Sequence, residues 1–238
     1  MALKKVVGIA VFSALAFVVA LVCNVIPPVQ GFLSLDVKDA IITVAAFAYG
    51  PVSAVMISLI SAAVEWVTIS TTGWYGFVMN FVSSATFSLV ATLIYTRKRN
   101  INGALIALFA AVIATTGAML LMNNFVTPFF LTYRGWAPNH EAARATVEGL
   151  LPKVLLPFNF AKTMLNGATL MMIYKPVTIA MSRVGMIEKK NASQSHNKNA
   201  SATNEKNLSL TFNKNSAIIL ATGTICLVVA LTIYFIIA

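Results

Sequence analysis

Charge is what this chain has least of. Only 10% of its 238 residues are charged, against roughly a quarter in an ordinary soluble domain, while 58% are hydrophobic. That balance excludes a water-soluble globular fold. The seven acidic residues, two histidines and two cysteines are scattered. Cys23 and Cys226 both fall in apolar runs without a Cys-x-x-Cys spacing, so neither a disulfide framework nor a zinc site is indicated. A Gly-x-x-x-x-Gly-Lys-[Ser/Thr] loop is also missing, which excludes ATP hydrolysis by this chain itself. Nor is there a Ser-His-Asp set, a paired acid or a His-Glu motif in the apolar runs; His140 in a loop and His196 in a polar linker read as solvated residues, and the chain is not expected to be an enzyme.

What is present is a succession of apolar runs, several longer than the roughly 18 residues that suggest a membrane span. Span one covers about Val6 to Val25 and is closed by Ile26, Pro27 and Pro28. It exceeds a signal-peptide core and lacks a clear small-residue cleavage site, so it reads as a retained helix. A loop to Leu35 leads into a shorter span two, Asp36 to Tyr49, and the Gly50-Pro51 turn opens span three, Val52 to Thr68. Span four runs from Trp74 to Thr96, span five from Ile101 to Leu131 and span six from Leu151 to Ile173, with a polar stretch from Thr132 to Gly149 between the last two. Glu188 to Asn215 is rich in Asn, Lys and Ser and predicts a disordered linker, after which Ala217 to Ala238 is long enough to span. The expected organisation is therefore an all-α integral membrane protein with a six-helix domain at 1–187, a cytoplasmic linker at 188–215 and an extra C-terminal transmembrane helix at 216–238.

The formal charge of +10 is not one patch, so a nucleic-acid face is not indicated. With the N-terminus in the cytoplasm, twelve of the 17 basic residues fall on cytoplasmic segments, at Lys4, Lys5, Arg97, Lys98, Arg99, Lys175, Arg183, Lys189, Lys190, Lys198, Lys206 and Lys214. The positive-inside rule favours that orientation. Asp36 and Asp39 fall in the first turn of span two, where carboxylates suit the positive end of the helix dipole, and Glu65 is in reach of Lys38 for a structural ion pair.

Lys162 is harder to place. It lies about 16 Å into span six at 1.5 Å per residue, near the middle of the bilayer, where a lysine costs about 2.5 to 3.5 kcal/mol on insertion scales. Asn159 and Asn166 share its helical face, and Asn123, Asn124 and Asn80 lie in the neighbouring spans five and four. Two readings stand open: a snorkelling lysine with asparagines bonding neighbouring helices, or a polar stripe lining a ligand cavity. Ala10 and Ala14, and Ala16 and Ala20, give span one small-xxx-small faces on which another helix can dock closely.

Five stretches carry a resemblance: Leu33-Ser-Leu-Asp-Val-Lys-Asp39; Tyr49-Gly-Pro51; Glu65 followed by Ser70-Thr-Thr-Gly73; Asn123-Asn-Phe-Val-Thr-Pro128; and Leu156-Pro-Phe-Asn-Phe-Ala-Lys162 ending at Tyr174-Lys-Pro176. Over about residues 5 to 180 the chain resembles the riboflavin-specific substrate-binding (S) components of energy-coupling factor (ECF) transporters. The resemblance implies a multi-pass protein of a bacterial cytoplasmic membrane that captures riboflavin at the outer face, with no cofactor and no metal. It implies that Asn123, Asn159 and Lys162 reach the flavin ring, and that the first loop and the outer end of span four enclose the ribityl chain; Leu35, Thr72, Asn80, Asn124 and Asn166 complete the candidate set, Asn124 standing where the family often has an aromatic. It further implies docking through Ala10 and Ala14 on a membrane scaffold (T) subunit driven by two ATPase (A) subunits. An amide side chain both donates and accepts, which suits the alternating edge of an isoalloxazine ring. Two alternatives stay open: another vitamin or a flavin nucleotide as the ligand, and, from a different class, a membrane enzyme using buried Lys162 for carbonyl chemistry.

Overall fold

A computed structural model describes residues 2–97, 101–183 and 214–237, and within them the chain is entirely helical apart from loops and one isolated backbone bridge. In chain order the helices are α1 (Ala2–Cys23), α2 (Lys38–Tyr49), α3 (Pro51–Thr68), α4 (Trp74–Arg97), α5 (Ile101–Tyr133), α6 (His140–Leu150), α7 (Leu156–Arg183) and α8 (Lys214–Ile237). A single π-helical turn, Leu151–Leu155, joins α6 to α7. Among the described residues four stretches are long and apolar enough to cross a membrane: Leu3–Cys23, Pro51–Thr68, Trp74–Arg97 and Asn102–Tyr133; Ala221–Ile237 is a shorter apolar helix. The linker expected at 188–215 lies outside the described residues up to 213, and α8 begins at Lys214.

The helices are long because little in them interrupts the backbone ladder and membrane-like apolar surroundings favour intrahelical bonding. They stop where the sequence supplies a breaker. Gly50 takes φ +95, outside helical space, and Pro51 then occupies the first turn of α3, where its missing N–H costs nothing. α5, at 33 residues, is about 50 Å long and exceeds a hydrocarbon core of about 30 Å.

α6 corrects the expectation of an irregular polar stretch after span five. Asn139 caps it, accepting a hydrogen bond from the Ala142 N–H at 2.8 Å, and Ala143 and Val147 bury one face while Glu141, Arg144 and Glu148 stay exposed. His140, expected in a loop, is the first residue of this helix, its ring 4.5 Å from that of Phe129.

Two apolar clusters hold the bundle together. One, around Ile9, Phe12, Ile42, Phe87, Leu108 and Leu170, fills the half where α2 runs into α3. It includes a close approach of α1 to Tyr49: a Cβ on Gly8 would run into the phenol, so a larger residue there would have to displace that ring. At that end Tyr95 and Tyr174 join hydroxyls at 2.8 Å beside Phe47. The second cluster, around Phe32, Leu35, Tyr75, Met79, Phe130 and Phe158, fills the opposite half under the α1–α2 loop. That half is the capped end.

Candidate functional site

The cap is the loop from Asn24 to Val37. Pro27 and Pro28 prevent α1 from continuing, and the chain then doubles back: Val29 and Leu33 exchange both backbone hydrogen bonds at 3.0 Å. The turn between them needs left-handed backbone at Gln30 (φ +53) and Gly31 (φ +76), and Gly31 supplies the second without penalty. Phe32, at the tip, is folded inward, with its ring centroid 6.2 Å from Tyr75, 6.1 Å from Phe130 and 6.4 Å from Trp136. Tyr75 and Phe130 stack at 4.2 Å, and the Tyr75 hydroxyl pairs with Thr127 at 3.0 Å. The loop thus ends in an aromatic plug.

A buried chain of charges ties the loop to the helices. Lys162 on α7 donates to Asp36 at 2.7 Å and to the Ser34 carbonyl at 3.1 Å. Lys38, only 1% exposed, donates to Glu65 on α3 at 2.7 Å and stands 3.9 Å from Asp36. Glu65 also accepts from Ser61 and from Asn80, each at 3.0 Å. Asn166 bonds on both sides of the α2 start, accepting from the Ala40 N–H at 3.1 Å and donating to the Asp36 carbonyl at 2.8 Å. Asp39 faces α4 and accepts from Ser84. Desolvating these ions costs several kcal/mol each, and only such dense pairing makes their burial tolerable.

Asp36 was expected to cap span two from its first turn. It lies just before α2, which starts at Lys38, and it serves twice: one carboxylate oxygen accepts the Lys38 backbone N–H at 3.3 Å, a free donor of the helix start, while the other pairs with Lys162. The Lys38–Glu65 pair forms as expected.

Two cavities of about 50 Å³ each lie beneath the loop and share Ser34, Thr72 and Asn80 in their walls. One is bounded by Phe32, Tyr75, Met79, Met119 and Phe158 on its apolar side and by Asn159 and Lys162 on its polar side. The other is more polar, lined by Leu35, Asp36, Glu65, Ser70 and Thr71. An ammonium group has three donors, and protein acceptors take two from Lys162, which leaves one for a guest.

Of the candidate set, the structure gathers Lys162, Asn159, Asn80, Thr72 and Leu35 around these cavities. Asn159 has its amide N–H on the Leu155 carbonyl at 2.7 Å. Asn123 is fully buried one layer away, donating to the Met119 carbonyl at 2.7 Å and accepting from Thr127 at 2.9 Å. Asn124 is half-buried and lines neither cavity, and Asn166 serves as a brace behind Asp36. Ala10 and Ala14 are exposed on α1, whereas Ala16 and Ala20 face the core. Sequence reasoning missed Phe32, Tyr75, Met79 and Phe158 as walls, because single apolar residues in an apolar chain carry no mark.

Comparison with known proteins gives concordant matches. The family model described as "ECF transporter, substrate-specific component" matches residues 4–178. The riboflavin transporter RibU of Staphylococcus aureus (strain TCH60) is 26% identical over 181 residues, covering 76% of this chain and 94% of that protein. The riboflavin transporter FmnP of Bacillus subtilis (strain 168) is 21% identical over 198 residues, covering 82% of this chain and all of the relative. A solved structure of the S component of a bacterial ECF transporter superposes with a TM-score of 0.62 at 26% identity, covering 77% of this chain and 100% of its own.

Proposed function

Because the chain belongs to the substrate-specific components of ECF transporters, we propose that it captures riboflavin beneath the α1–α2 loop for uptake driven by partner subunits. The observation that carries this is Lys162, a buried ammonium with one uncommitted donor on the wall of a cavity that also presents Phe32, Tyr75, Met79, Met119 and Phe158. Both relatives compared in sequence are riboflavin transporters by name. The chemistry agrees with the names. An isoalloxazine ring presents a flat apolar face and an edge of alternating donors and acceptors. Phe158, Met119 and Tyr75 supply the walls for the face, and Lys162 and Asn159 supply the polar edge. Thr72, Asn80 and Leu35 lie on the side where the ribityl hydroxyls would extend, and Asn123 stiffens the wall behind Tyr75 through Thr127.

Riboflavin is favoured over its phosphorylated forms. Asp36 and Glu65 border the polar cavity and already balance the charge of Lys162 and Lys38, so the doubly charged phosphate would meet two carboxylates and a single free ammonium N–H.

In this reading the family unit is a six-helix membrane bundle of α1 to α5 and α7, in which α1, α3, α4 and α5 are long and apolar enough to cross while α2, at 12 residues, is too short to cross alone, and α8 adds a seventh membrane helix. The N-terminus is placed in the cytoplasm, the orientation that the distribution of lysine and arginine favours. Ala10 and Ala14 form the face that docks on the T subunit, and the two A subunits supply the energy. The chain itself binds and carries, without catalysis.

Riboflavin should quench the fluorescence of Trp66, Trp74 and Trp136 when titrated into the detergent-solubilised protein, saturably and at lower concentration than its phosphate does. Saturable quenching by another vitamin with none by riboflavin would overturn the assignment.

A further inference from the structure

We propose that α8 is a clasp on the loop covering the site, with Tyr234 as its positioning residue. The helix lies beyond the segment matched by the family model, which ends at residue 178. It packs along α7, and its seat is close: a Cβ on Gly223 would stand 3.4 Å from the Ala168 carbonyl and 3.4 Å from Met172. Ala230 and Tyr234 are buried on one face, while Val228, Val229, Phe235 and Ile236 are exposed on the others. The buried face does not end on α7. Ala230 and Tyr234 belong to the same apolar cluster as Phe32, Leu33 and Leu35, and the Tyr234 hydroxyl donates to the Pro27 carbonyl at 3.1 Å.

That bond falls at a telling place in the loop. Pro27 lies two residues before the paired turn Val29–Leu33, whose tip carries the Phe32 plug. The far end of the same loop is held from α7, by Lys162 on Ser34 and Asp36 and by Asn166 on Asp36. The loop is therefore pinned at both ends, once by the helix that lines the site and once by the added helix. Cavities of about 50 Å³ are far below the roughly 300 Å³ at which small-ligand pockets begin, so a guest of riboflavin's size enters only when the loop lifts. Every restraint on that lift lowers the population of the open form, and with it the rates of both entry and exit. Tyr234 is such a restraint, and it sets exchange rates while touching no ligand.

The kinetic part of this inference rests on the riboflavin reading, so the test has an arm that does not. In the full-length protein, Tyr234→Phe removes the hydroxyl and keeps the ring. Without any ligand, hydrogen exchange of the Val29 and Leu33 amides, which bond each other's carbonyls, should quicken by about five-fold, the factor expected for one net hydrogen bond. Amides inside α2 and α4 should be unchanged. With riboflavin, stopped-flow quenching should show association and dissociation both faster by a similar factor, and a Kd within about two-fold of the parent. Gly223→Phe, which forces α8 off its seat, should reproduce the effect if Tyr234→Phe is poorly folded. Unchanged loop exchange in both variants overturns the clasp. So does a uniform rise across α2 and α4, because Tyr234 would then only stabilise the fold. If the parent protein does not respond to riboflavin, the functional reading fails, and the exchange arm still decides whether α8 holds the loop.

Discussion

Glu65 accepts hydrogen bonds from Lys38, Ser61 and Asn80 in a buried setting. Removing one partner of such a pair strands the other in a medium that cannot solvate it. Lys38→Met should therefore lower stability by about 3–5 kcal/mol, whereas Lys38→Met combined with Glu65→Leu should recover most of that loss, since an apolar pair of similar volume is roughly neutral. Thermal unfolding in detergent reads both, and a double variant no better than the single would contradict the pairing. At this scale the sequence was partly legible. Lys162 and its amides stood out because ions and amides are costly in hydrocarbon, and the Lys38–Glu65 pair formed as their shared place near one end of spans two and three suggested. Asp36 does accept the first N–H of α2, but its pairing with Lys162 was not legible, since that partner lies 126 residues further along the chain and only the packing of α7 brings them together. Asn166 shared the face of Lys162, but the structure uses that face to brace the start of α2.

At the scale of elements, α1 shows how one helix serves two purposes. Ala16 and Ala20 let it settle against the bundle, and Ala10 and Ala14, rotated away from them, leave a smooth exposed strip. Ala10→Leu with Ala14→Leu should leave the riboflavin Kd within about two-fold while cutting co-purification with the scaffold subunit to a small fraction, because close helix approach depends on small side chains. Undiminished co-purification would remove α1 from the docking face. Long apolar helices were readable from length and hydropathy, and their ends from Pro27, Pro28, Gly50 and Pro51. The short α6 was not, because only Ala143 and Val147 are buried in its 11 residues, too few to mark a period against the polar residues around them. The α1–α2 loop was equally opaque: that Phe32 turns inward depends on Tyr75, Phe130 and Trp136 arriving from distant segments.

For the whole molecule, the family unit and the added helix meet at the loop that closes the site. Composition dictated an all-helical membrane protein, and five short motifs pointed to its family, which the match over residues 4–178 bears out. The seat of α8 could not be read from its sequence, which is nearly uniform in apolarity and lacks a polar face to orient it. On the proposed reading, function at this scale depends on one arrangement, a cation and an amide on α7 offered to a flat heteroaromatic guest beneath the α1–α2 loop. The most direct test is the riboflavin Kd of Lys162→Met, measured by calorimetry beside the parent and beside Asn124→Ala, with folding of each checked by thermal unfolding. A charge-assisted hydrogen bond is worth about 1.5–3 kcal/mol, so folded Lys162→Met should bind at least about ten-fold more weakly, while Asn124→Ala, lining neither cavity, should bind like the parent. A folded Lys162→Met protein that binds riboflavin as tightly as the parent would contradict the site.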